Sequence, residues 1–63
     1  MYREAFSFIG SMLDAAAAGD KWAVLDHKQD AYTASKGDRY IQELAESVHD
    51  RANEIMRESG VLK

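Results

Sequence analysis

Cysteine and proline are both absent from this 63-residue chain. Without cysteine there are no disulfides and no thiolate metal ligands, so two common supports of a very small domain are missing. Without proline, nothing in the sequence forbids long uninterrupted helices. Cations are also scarce: eight Lys and Arg face eleven Asp and Glu, giving a formal net charge of -3 and a pI near 5.2. That balance argues against strong non-specific attraction to nucleic acid or to an anionic membrane, since both need clustered Lys and Arg. No stretch approaches the ~20 apolar residues of a membrane span. The opening Met1, Tyr2, Arg3, Glu4 leads into no secretory apolar run, so we expect a cytoplasmic protein without membrane contact. Missing too are a phosphate loop, a Gly-x-Gly-x-x-Gly turn and a His-Glu-x-x-His helix.

What is present is 46% hydrophobic and 30% charged residues, the profile of a folded helical chain and not of a disordered tail. The length allows one domain, residues 1–63. A chain this short buries only about 60% of its unfolded surface, and its core rarely supplies more than ~3 to 5 kcal/mol. With disulfides excluded, oligomerisation is the remaining reinforcement, and we expect a homodimer.

Two Gly-Asp pairs, Gly19-Asp20 and Gly37-Asp38, punctuate the chain. Each offers a residue tolerant of positive φ where a helix can stop, then a side chain that can cap the next. The expectation is an all-α bundle of three helices over 2–18, 21–35 and 39–58, completed as an antiparallel homodimer. Because a mid-helix glycine costs only about 1 kcal/mol, a two-helix hairpin with a first helix running through Gly19 is the alternative.

At a 3.6-residue period, the first helix gathers Tyr2, Ala5, Phe6, Ile9, Met12, Leu13 and Ala16 into an expected core face, with Phe8 and Ala15 beside it. The third helix carries Ile41, Val48 and Ile55 at seven-residue intervals, with Leu62 in phase, and Ala45 and Ala52 four residues after the first two. Alternating large and small residues let an antiparallel partner helix approach closely. We therefore assign Ile41, Ala45, Val48, Ala52 and Ile55 to a core or dimer seam. Arg39 with Glu43 and Glu54 with Arg57 stand at ion-pair spacing, worth tenths of a kcal/mol. The second helix is less regular. Trp22, Leu25 and Tyr32 form one stripe while Val24 and Ala31 lie nearly opposite, so this helix either sits between two layers or exposes an aromatic stripe to a partner.

Reactive constellations are few. Glu46 and His49 have the Glu-x-x-His spacing of helical metal sites, but on the projection Glu46 points away from the core and His49 lies at its edge. A boundary histidine, solvated or bonded to a neighbour, is the expectation, with no metal and no cofactor. His27 has Asp30 three residues on, within reach on one helix face. No serine or threonine sits in a nucleophile motif, and a chain of this size has little bulk to shield a water-excluding pocket. The sequence therefore reads as a non-enzyme. Lys21, Trp22, Lys28 and Tyr32 form the best nucleic-acid surface available, but Asp20, Asp26 and Asp30 interleave with them.

The run Glu46-Ser47-Val48-His49-Asp50-Arg51-Ala52-Asn53-Glu54-Ile55-Met56-Arg57 resembles the second helix of the Rop family of plasmid copy-number regulators. Glu46, Ser47, His49, Asp50, Ala52, Glu54 and Arg57 look like direct matches, and Val48 and Ile55 like conservative ones. The resemblance implies an antiparallel dimeric helical bundle with close alanine seams, and binding of paired RNA stem-loops. It covers about a dozen residues and does not extend to the first helix, where Arg3 is the only cation and Phe6 or Phe8 could stand in for the aromatic. The additional Gly-Asp break is a second departure.

Two functions follow as expectations. The first is a small helical regulator or inhibitor, of the kind phages and plasmids encode, docking on a larger cytoplasmic protein through Phe8, Trp22, Leu25 and Tyr32. The alternative is a dimeric stem-loop RNA binder similar to Rop.

Overall fold

The computed structural model describes residues 2–62 and contains three helices: α1 at Arg3–Ala17, α2 at Lys21–Ala34 and α3 at Arg39–Glu58. The chain is therefore a three-helix bundle, and the two-helix alternative is excluded by the break at Gly19. There the backbone takes φ +79°. The Gly19 amide donates to the Ala16 carbonyl at 3.0 Å and the Asp20 amide to Ala15 at 2.9 Å, closing the last turn of α1. The Asp20 carboxylate then accepts the Ala23 amide at 3.0 Å, capping α2. Asp38 caps α3 in the same way, accepting the Ile41 amide at 3.1 Å.

The second break differs in one detail from its sequence reading. The first left-handed residue after α2 is Lys36, at φ 54°, with Gly37 following at φ 79°. A side chain there costs about 1 to 2 kcal/mol, and the turn is held by the Gly37 amide donating to the Tyr32 carbonyl at 3.2 Å. At the end of α3, Gly60 turns the chain back so that the Val61 amide reaches the Met56 carbonyl at 2.8 Å. Leu62 consequently does not extend the seam of α3. Both Val61 and Leu62 fold back and pack on the end of the bundle.

Two apolar clusters show the direction of each helix. One joins Met12, Ala15 and Ala16 of α1 to Val24 of α2 and Ala52 and Met56 of α3. The other joins Ala5 and Ile9 to Ala31 and to Ile41 and Ala45. So α1 and α3 run parallel, with α2 antiparallel to both. Of the seam, Ile41, Ala45 and Ala52 are fully buried, while Val48 and Ile55 are half-buried on the flank of α3 toward α1.

Two expectations about surfaces are corrected. Phe6 is 47% exposed and Tyr2 is also open to solvent. The buried line of α1 is Ala5, Ile9, Met12 and Ala16. Phe6 stands about 100° round the helix from Ala5, off the buried line, and Tyr2 precedes the first turn. Glu54 pairs with Arg51 on the preceding turn and not with Arg57, whereas the expected Arg39–Glu43 pair forms at 3.3 Å.

Candidate protein-docking groove

Helix α2 has the least to bury. Val24 and Ala31 are its only fully buried apolar residues, and its contact with α3 is the least extensive of the three helix pairings. Along the seam the two helices are tied instead by polar side chains. The Lys28 ammonium lies 2.8 Å from Glu46 Oε1 and 2.8 Å from His49 Nδ1, and the Tyr32 hydroxyl donates to Glu46 Oε2 at 3.0 Å. Lys28 is well covered, its side chain 16% exposed, while Glu46 is open to water.

The sequence places Glu46 away from the core, and so it is, yet Glu46 and His49 do converge. They meet on the ammonium of Lys28, where a metal site would need a cation. Lysine has no acceptor, so it donates to His49 Nδ1, and the imidazole proton sits on Nε2. The hydrogen bond from Lys28, with a smaller one from Tyr32, holds the Glu46 carboxyl below the usual carboxylate range. Burial, followed by the bond to Glu46, raises the Tyr32 phenol.

Beyond this polar tie, toward the start of α2 and the end of α3, the seam opens into an apolar groove of about 200 Å³. It is lined by Lys21, Trp22 and Leu25 of α2, by His49, Asn53 and Met56 of α3, and by Leu62 beyond it. Trp22 is 68% exposed and Leu25 44%. The Lys21 ammonium stands 5.6 Å over the indole, a contact worth ~0.5 to 1 kcal/mol at an exposed site.

Of the four partner-binding residues named from the sequence, the structure brings Trp22 and Leu25 together at this groove. Phe8 lies on the α1–α2 side, half-buried, its ring stacked on His27 with centroids 6.4 Å apart. His27 does not bond Asp30; its Nδ1 is buried without a partner among the described residues. Tyr32 faces the groove's polar end, its hydroxyl committed to Glu46. The sequence reading missed Met56, Leu62, His49 and Asn53 as members. Three of these lie on α3 at positions 49, 53 and 56, a helical spacing that marks one face. Nothing in the sequence shows that this face meets the Trp22 end of α2. No family model, curated protein or solved structure matches the chain.

Proposed function

We propose that the protein is a non-enzymatic helical regulator that docks on a larger protein through the Trp22–Leu25 groove. The observation that carries this is Trp22, 68% exposed on the wall of an apolar groove, beside a second exposed apolar residue, Leu25. Tryptophan is strongly enriched among residues that dominate binding energy, particularly where it borders a pocket. Beside the groove, His49 and Lys28 are engaged with each other, and Glu46 with Lys28 and Tyr32.

The stem-loop RNA reading has weaker support. Of the four residues that form the best nucleic-acid surface, Lys28 and Tyr32 bond Glu46, and Lys21 stands over the Trp22 ring. The test is affinity capture from the host with three baits: wild type, Trp22→Ala and Phe6→Ala. The docking reading expects a partner retained by wild type and Phe6→Ala and lost by Trp22→Ala. A partner that all three retain sinks it, as does salt-sensitive stem-loop RNA binding that survives Trp22→Ala.

A further inference from the structure

The groove's polar rim has a definite sign, and it narrows the partner. Among the described residues, no Asp or Glu lines the groove. Asp20 is engaged in capping α2. Lys21 forms no ion pair among the described residues. His49 has its Nδ1 taken by Lys28 at 2.8 Å, so the only polar atom its ring offers an occupant is the Nε2–H donor. Asn53, one turn further along α3, adds an amide. On a chain of net charge -3, the apolar slot thus carries one ammonium, one ring N–H donor and one amide at its rim.

Size and shape restrict the occupant further. A groove of about 200 Å³ is smaller than the ~300 to 1,000 Å³ of typical small-molecule sites. It suits one large side chain. It also lies between two antiparallel helices, where a third helix can set a ridge of side chains.

Resting on the docking function above, we propose that the occupant is an acidic amphipathic helix of the partner. It inserts one large apolar side chain onto Met56 and Leu62, between Trp22 and His49. A carboxylate one turn along that helix sits against the Lys21 ammonium and the His49 Nε2–H.

The probe is a display library of peptides fixed in a helical scaffold, selected on the full wild-type chain, with recovered sequences remade as free peptides. Trp22 is the only tryptophan, so its emission reports burial directly when the library itself omits tryptophan. The expected winners carry Leu, Ile or Phe with Asp or Glu three or four residues away, shift the indole emission to the blue, and lose binding to Trp22→Ala. Lys21→Glu should weaken them by about two- to fivefold, the range of an exposed ion pair, and His49→Phe, which keeps the ring and removes the donor, should weaken them as well. Peptides that need Trp22 but show no acidic bias, or tolerate Lys21→Glu, overturn the acidic-helix assignment and leave the docking function standing. Peptides indifferent to Trp22 overturn both. A concentration-dependent dimer, seen by light scattering and dissolved by Trp22→Ala, gives the groove to a second copy and also overturns the proposal.

Discussion

Replacing Trp22 by alanine separates a docking residue from a structural one. At 68% exposure the indole contributes about a third of its surface to the fold. Full burial of a large apolar side chain is worth about 1.5 to 3 kcal/mol, so Trp22→Ala should cost about 0.5 to 1 kcal/mol. Met12 provides the comparison, because it is fully buried between α2 and α3. Truncating a buried methionine costs ~2 to 5 kcal/mol, since a cavity remains. That is comparable to the ~3 to 5 kcal/mol available to a core of this size. The assay is urea denaturation of both variants followed by far-ultraviolet circular dichroism. Trp22→Ala should retain a cooperative transition with a slightly lower midpoint, and Met12→Ala should be largely unfolded before urea is added. Equal losses in the two variants would refute the reasoning, because Trp22 would then belong to the core and the groove would be no free surface.

Gly10 and Gly19 predict opposite outcomes for one substitution. Gly10 lies in mid-α1 with nothing within 4 Å of an added Cβ, so Gly10→Ala should stabilise by about 1 kcal/mol and raise the melting temperature by about 4 to 8 °C. At Gly19 the φ of +79° and Val61 Cγ2 only 3.2 Å from an added Cβ make Gly19→Ala destabilising; differential scanning calorimetry of both decides, and a rise at Gly19 would contradict the turn geometry. Glu46 predicts a pH dependence. Its folded carboxyl titrates below the ordinary value of 4.5, so its contribution is present above that pH and is lost as pH falls through the lower folded value. Glu46→Gln should therefore flatten the acid limb of the stability profile while leaving Lys28 without its carboxylate. An unchanged acid limb would show that the tie carries no linkage. On the alkaline side, the raised Tyr32 phenol favours the fold below its ordinary value of 10.0, and that contribution is lost as pH rises through the higher folded value.

The helices were legible because their punctuation is local. Gly19, Asp20 and Asp38 act on atoms within a few residues of themselves, and the structure uses all three as the sequence suggests. The buried seam of α3 was legible for a related reason: the positions of Ile41, Ala45 and Ala52 follow from helical period alone. Exposure was not. Phe6 and Ile9 are both apolar in the sequence, and only the packing of the neighbouring helices leaves one open and the other buried. The groove was least legible, since it depends on which flank of α3 faces α2 and on Gly60 returning Leu62 to the bundle end. Lys28 misled for the same reason. In the sequence it belongs to a nucleic-acid surface interleaved with Asp26 and Asp30, yet its partners lie on α3, 18 and 21 residues further along the chain.

The weak seam and the apolar groove beside it have one physical origin. A bundle of this length has too few large side chains to seal three interhelical faces. Most of the burial goes to α1, whose Ile9, Met12 and alanines contact both neighbours. That leaves α2 and α3 joined by Lys28, Glu46, His49 and Tyr32 over the middle of the seam, and by the small Val24 with Ala52 and Met56 toward its Trp22 end. A polar tie fixes spacing without filling volume, so an apolar slot persists beside it. Residues that line this slot contribute modestly to the fold, while a side chain inserted from outside would meet Met56, Leu62 and the indole together. Because such an occupant binds the folded chain and not the unfolded one, docking would also supply stability that the small core lacks.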